Sequence, residues 1–136
     1  MNYRFLDHTA DARVECTGAT FAELLEAAAR ALAAVAFRHV ANHGEEVRRV
    51  VSIKANGPED AIVRWLQELI YLMDVERLAP VRFEFRQASA QSIEAVVDGC
   101  LYQPEDRQDE VKAATYHGMD VRQTETGWRA EVIFDL

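Results

Sequence analysis

The chain has 136 residues and a net charge of −8 at pH 7, from 15 basic and 23 acidic side chains, and 49% of its residues are hydrophobic. This length suits one domain over residues 1–136 with a real core, and the composition excludes a disordered chain. The charge disfavours a broad nucleic-acid-binding surface and suits a basic partner or a bound cation. No apolar run approaches the roughly 20 residues of a membrane span, and no signal peptide is recognisable.

The first predicted element is a half-buried strand over residues 12–17, where apolar and polar side chains alternate until Gly18 ends the run. Thr20 and Glu23 match a capping box, the sequence signature of a helix start. Apolar residues at helical spacing follow, so a helix is predicted over residues 20–37.

A loop over residues 39–46 and a strand over residues 47–55 come next. Pro58 suits the first position of a helix, and the acidic residues after it suit the positive end of the helix dipole. A second helix is therefore predicted over residues 58–75, with Trp65 flanking its buried stripe.

The rest of the chain has the alternation of strands, interrupted by a polar loop over residues 103–110 and a turn at Gly118. The predicted strands cover residues 81–86, 93–98, 111–117, 120–124 and 128–135. This order predicts an α+β fold, a two-layer sandwich in which two helices pack on one face of a largely antiparallel sheet.

The two cysteines, Cys16 and Cys100, lie in strand-like runs without partners at metal-binding spacing. Buried free thiols in a reducing, cytoplasmic compartment are the first interpretation, and a Cys16–Cys100 disulfide is the alternative.

Carboxylates mark both ends of the chain, at Asp11 before the first strand and at Asp135 and the Leu136 α-carboxylate at the end of the last one. Two adjacent carboxylates repel each other unless a cation or an arginine lies between them, and hard cations prefer several oxygen ligands. If the first and last strands are neighbours, these three residues can hold a divalent cation. The alternatives are a turn in which Asp11 caps backbone amides and a solvated strand end.

Lys112 lies where a predicted strand begins and could contact phosphate or a carboxylate of a partner; the alternative is an exposed lysine that protects a sheet edge. The recognisable sequence signatures of catalysis are missing, among them a phosphate-binding glycine loop, a zinc-protease helix and a nucleophile elbow.

Four segments together give the chain a resemblance to the archease family over nearly its whole length. They are His8-Thr9-Ala10-Asp11, residues 65–71 (WLQELIY), residues 111–117 (VKAATYH) and residues 127–136 (GWRAEVIFDL).

The resemblance implies an α+β fold with a strand–helix–strand–strand module and a non-enzymatic role. Archeases are protein cofactors of the GTP-dependent RNA ligase that joins RNA ends in tRNA splicing, and RNA repair is the alternative process for bacterial-type members. They promote guanylylation of the ligase and multiple turnover. By this resemblance, Asp11, Asp135 and Leu136 hold a divalent cation, with calcium expected and magnesium or manganese as alternatives. Lys112, His8 and His117 are the residues expected to contact the partner.

The chain departs from the family pattern at two positions. Family members often have Gly-Glu where this chain has Gly99-Cys100, and a histidine near Gln108. Two other functions stay open: a small metal-dependent phosphate-ester hydrolase built on the same carboxylates, and a plain interaction domain that binds no metal.

Overall fold

The computed structural model describes residues 1–6, 11–38 and 44–136, and of His117 it describes the backbone alone. Seven strands and two α-helices occupy these ranges. In chain order they are β1 (Asn2–Leu6), β2 (Ala12–Gly18), α1 (Phe21–Ala36), β3 (Glu46–Lys54), α2 (Pro58–Asp74), β4 (Leu78–Ala88), β5 (Ser92–Leu101), β6 (Ala113–Thr124) and β7 (Gly127–Asp135).

The strands form two antiparallel sheets, one in the order β1-β2-β7-β6 and the other in the order β3-β5-β4. The predicted α+β class is confirmed, but the single sheet expected from the sequence is divided in two. Both helices contact strands of both sheets, so one hydrophobic core serves the whole chain.

Helix α1 begins as the capping box predicts. The Thr20 hydroxyl oxygen accepts a 3.1 Å hydrogen bond from the Glu23 backbone N–H, which satisfies one of the free donors of the first turn. The face that carries Leu24, Leu25 and Leu32 is fully buried, in agreement with the apolar stripe read from the sequence.

Helix α2 begins at Pro58, as predicted, but Trp65 does not flank its buried face. The Trp65 side chain is 0% exposed, and its indole Nε1 donates a 2.9 Å hydrogen bond to the Leu25 carbonyl oxygen of α1. An indole ring can occupy a core only when its N–H finds an acceptor, and the neighbouring helix supplies one.

Two strand predictions were wrong in detail. Strand β1 was not predicted, because it is short, lies at a sheet edge and leaves Phe5 48% exposed, so its sequence shows no clear alternation. The predicted strands 111–117 and 120–124 are one strand, β6, whose register against β7 shifts between Thr115 and Asp120. Gly118, with φ 73°, lies inside this bulge and accounts for the apparent turn.

Both cysteines are buried free thiols, which excludes the alternative of a Cys16–Cys100 disulfide. Burial raises the pKa of the Cys16 thiol to about 12, so the residue behaves as a small hydrophobic side chain. In the described ranges no helix is both long and apolar enough to cross a bilayer.

Candidate functional site

The pairing of β2 with β7 brings the two ends of the chain together. Ala12 lies opposite Phe134 in this antiparallel ladder. Continuing the register by one residue sets Asp11 opposite Asp135, at the same end of two neighbouring strands. Side chains alternate between the faces of a sheet, and Val14, Val132 and Phe134 are buried, so Asp11 and Asp135 belong to the opposite, outer face.

Lys112 and Leu136 lie beside this acidic pair. The backbone N–H of Lys112 donates a 2.8 Å hydrogen bond to the Asp135 carbonyl oxygen, just before β6 begins. Leu136, which follows Asp135, keeps 38% of its surface exposed. Three strand ends thus bring together four of the six residues that the sequence singled out as metal-binding or partner-contacting: Asp11, Lys112, Asp135 and Leu136.

A network of ion pairs covers the same outer face next to the acidic pair. Arg13 donates to Glu131 at 2.6 Å, and Arg129 donates to Glu15 at 2.6 Å and to Glu131 at 3.1 Å. Arg4 completes the row from the edge strand at 3.1 Å from Glu15.

These ion pairs set the charge of the face. The hydrogen bonds from Arg4 and Arg129 lower the pKa of Glu15, and the hydrogen bond from Arg13 lowers the pKa of Glu131. Both glutamates therefore stay ionised and already have cationic partners. The two glutamates of this network are therefore engaged by arginines, next to Asp11 and Asp135 at the end of the sheet.

Helix α2 covers the open edge of β6. The Gln67 side-chain carbonyl oxygen accepts a 3.1 Å hydrogen bond from the Ala114 N–H, which would otherwise be a free donor of an edge strand. About two turns nearer the start of α2, Asp60 accepts a 2.5 Å hydrogen bond from the Tyr116 hydroxyl. The hydrogen bond to Tyr116 lowers the pKa of Asp60, and the same bond raises the pKa of Tyr116.

The loop between β5 and β6 is held to the end of α2 by Arg107. Its guanidinium donates to Asp74 and to the Tyr102 hydroxyl, each at 3.1 Å, and to the Asp109 carbonyl oxygen at 3.1 Å. It also lies over the rings of Phe37 and Tyr102, 5.4 and 5.6 Å from their centroids. The chain that leads into Lys112 therefore has a defined path.

The two positions that depart from the family pattern have structural roles. Cys100 is buried in β5, opposite Glu46 and Ala79. The Gln108 N–H donates a 2.8 Å hydrogen bond to the Ala36 carbonyl oxygen at the end of α1.

The predicted histidines cannot be compared with this arrangement. His8 lies outside the described residues, and for His117 only the backbone, within the β6 bulge, is described. Their contribution to partner binding stays a prediction.

The donor set suits a hard divalent cation, since carboxylate oxygens are the ligands that calcium and magnesium prefer. Within residues 1–6, 11–38 and 44–136 no group of three or more His, Cys, Asp or Glu side chains could hold a metal ion. The predicted site therefore needs the main-chain carboxylate of Leu136 as its third ligand, in addition to Asp11 and Asp135. The cation and its site stay a prediction.

Sequence reasoning missed the residues that hold β6 in place. Asp60 was interpreted only as a favourable charge at a helix start, and Gln67 and Tyr116 had no assigned role. No local pattern reveals these contacts, because Tyr116 and Asp60 are 56 positions apart and Gln67 and Ala114 are 47 apart.

Comparison with known proteins agrees with the resemblance seen in the sequence. Residues 3–136 match the model of the Archease protein family. The chain is 35% identical over 143 residues to the protein archease of Methanosarcina acetivorans, and the match covers 98% of this chain and 95% of that protein.

Two solved structures have a similar fold. The solution structure of protein 1598 from Methanobacterium thermoautotrophicum superposes with a TM-score of 0.75 and 27% identity, covering 98% of both chains. The crystal structure of an archease, possible chaperone, from Thermotoga maritima superposes with a TM-score of 0.68 and covers 96% of this chain and 94% of that one. At 23% identity the second similarity concerns the fold alone.

Proposed function

The chain belongs to the archease family, and we propose from this that it is a non-catalytic protein cofactor of a GTP-dependent RNA ligase. In this proposal it promotes guanylylation of the ligase and multiple turnover during the joining of RNA ends, in tRNA splicing or RNA repair.

The observation that carries the proposal is the register that sets Asp11 opposite Asp135, with the Lys112 N–H bonded to the Asp135 carbonyl oxygen. Asp11, Asp135 and Leu136 are the residues that would hold the cation, most simply calcium, with magnesium or manganese as the other candidates. A bound cation would supply positive charge next to the phosphates of the nucleotide.

The charge of the chain supports docking on a ligase. A protein that binds RNA and GTP needs a basic active-site entrance, and an acidic partner with a net charge of −8 is attracted to such a surface. Lys112 lies beside the acidic pair, where its ammonium group can contact a phosphate or a carboxylate of the complex. His8 and His117 are the further residues proposed to contact the partner.

A ligation time course with RNA in excess over ligase tests the proposal. We expect the wild-type chain to allow many turnovers per ligase, and the double variant Asp11→Ala/Asp135→Ala to lose most of this stimulation while remaining folded. The variant Glu84→Ala/Glu94→Ala is the matched control, since it removes the same charge from exposed positions of the β3-β5-β4 sheet. Full stimulation by a folded Asp11→Ala/Asp135→Ala variant would exclude the proposed role of the acidic pair.

Calorimetric titration with calcium tests the cation separately. We expect heat of binding with the wild-type chain and none with the Asp11→Ala/Asp135→Ala variant. The chain alone should release no product from phosphate esters in the presence of magnesium or manganese; such activity would favour the hydrolase hypothesis instead.

A further inference from the structure

One stripe of α2 follows the chain from the β5–β6 loop into β6. Asp74 accepts a 3.1 Å hydrogen bond from the Arg107 guanidinium, and the Gln67 side chain accepts a 3.1 Å hydrogen bond from the Ala114 N–H. Residues 67, 71 and 74 fall on one face of a helix. Tyr71 therefore faces the segment between Arg107 and Ala114.

The distances along the two elements place Tyr71 more closely. Four residues of helix from Gln67 to Tyr71 rise about 6 Å, and two residues of extended chain from Ala114 back to Lys112 cover about 6.6 Å. Tyr71 is thus about level with Lys112, whose N–H is bonded to the Asp135 carbonyl oxygen. Leu136 follows Asp135 directly in the chain, and we call Tyr71, Lys112 and Leu136 the Tyr71 patch.

The patch is only partly buried. Tyr71 is 49% exposed and Leu136 38% exposed, whereas most of the apolar face of α2 is buried. Among the described residues, neither the Tyr71 hydroxyl nor the Lys112 ammonium forms a hydrogen bond or an ion pair. Val75, one turn beyond Tyr71, extends the apolar surface and is 60% exposed.

An exposed tyrosine of this kind is typical of the centre of a protein interface. Its ring buries a large apolar area with few rotamers to order, and its hydroxyl can bond to the partner. Acidic residues lie close in the chain, since Asp109 and Glu110 precede Lys112 with only Val111 between, and Asp135 precedes Leu136. The matching partner is a protein surface with apolar groups and basic residues around them.

We propose that the Tyr71 patch is the surface through which the chain docks on its RNA ligase, with the Tyr71 ring as the anchor. This inference rests on the proposed function. In this proposal the two groups have different roles: Tyr71 provides affinity for the ligase, and the acidic pair provides the effect on turnover.

Binding and stimulation measured together on the full chain test this proposal. We expect Tyr71→Ala to weaken the dissociation constant for the ligase, and the concentration for half-maximal stimulation, by about ten- to a hundredfold. The stimulation reached at saturation should equal that of the wild type. Tyr71→Phe should stay within about threefold of the wild type, because the ring provides most of the buried area.

The matched control is Val50→Ala, which removes an exposed apolar side chain (67% exposed) from the other sheet and should change neither quantity. A Tyr71→Ala variant that binds the ligase within twofold of wild-type affinity would overturn the proposal. So would a self-associated wild type, seen by sedimentation, that Tyr71→Ala converts to a monomer. If instead the wild type binds no ligase and gives no stimulation, the proposed function itself is wrong.

Discussion

The hydroxyl of Tyr116 donates a 2.5 Å hydrogen bond to Oδ1 of Asp60 and so joins the bulge of β6 to the first turn of α2. Asp60 also accepts from the Asn56 N–H at 2.9 Å and from Arg64 at 2.9 Å. One carboxylate thus holds a turn, a helix start and a strand, and the strand is the one that leads to Lys112 and His117.

The Tyr116–Asp60 bond should make stability depend on pH at both extremes. The pKa of Asp60 is lowered in the folded chain. Its contribution to folding stability is therefore present at a pH above the ordinary carboxyl pKa and is lost as the pH falls through the pKa of the folded state. The pKa of Tyr116 is raised, so its contribution to folding stability is present below about pH 10 and is lost as the pH rises through the pKa of the folded state. Tyr116→Phe should therefore lower the melting temperature at pH 7, with a smaller difference from wild type in strong acid and strong base.

Thermal denaturation followed by circular dichroism across the pH range measures this difference. Tyr71→Phe is the control, because among the described residues the Tyr71 hydroxyl has no partner, and its difference from wild type should be small at every pH. An effect of Tyr116→Phe that does not change with pH would contradict the assignment.

Replacing Trp65 with phenylalanine should destabilise the chain by about 2–3 kcal/mol. The substitution removes the buried hydrogen bond to the Leu25 carbonyl oxygen and leaves a cavity between the two helices. Urea denaturation measures the free energy of unfolding, and the exposed substitution Val50→Ala should stay within about 0.5 kcal/mol of wild type. A cost for Trp65→Phe below that control value would show that the indole N–H contributes nothing.

Substitutions at two glycines allow the cost of backbone strain to be measured apart from the cost of a steric clash. Gly57 and Gly127 both have positive φ, 113° and 145°, but a Cβ at Gly57 meets nothing within 4 Å, whereas a Cβ at Gly127 lies 2.2 Å from the Gly18 carbonyl oxygen. Gly57→Ala should cost about 1–2 kcal/mol, and Gly127→Ala should cost about 3 kcal/mol or more, because β2 and β7 must separate there. Equal costs in urea denaturation would be inconsistent with this close approach.

Arg107 should control the order of the loop before Lys112. Arg107→Lys keeps the charge but loses the planar guanidinium that bonds three groups at once and lies over two rings, so a loss of about 1–2 kcal/mol is expected. Limited proteolysis should cut residues 103–110 faster in this variant than in wild type. The control Arg82→Lys changes an exposed strand residue and should leave the cleavage rate unchanged; loop cleavage equally slow in both variants would disprove the role of Arg107.

Much of the local structure could be predicted from the sequence. The capping box of Thr20 and Glu23, the proline at the start of α2 and the alternation of Trp128, Ala130, Val132 and Phe134 in β7 each depend on neighbours along the chain. Their physical causes are the free donors of a helix start, a fixed proline φ and the two-residue period of a strand, and all three act within one element.

Contacts between distant segments could be decided only by the tertiary structure. The division into two sheets, the union of residues 113–124 into one bulged strand, the burial of Trp65 and the bond from Tyr116 to Asp60 all join residues far apart in sequence. The placement of Asp11 opposite Asp135 depended on both. The sequence predicted it only if the first and last strands are neighbours, and the pairing of β2 with β7 in the structure fulfils that condition. Sheet order and register follow from which distant strands bury their apolar faces on the shared core, and no residue carries that information alone.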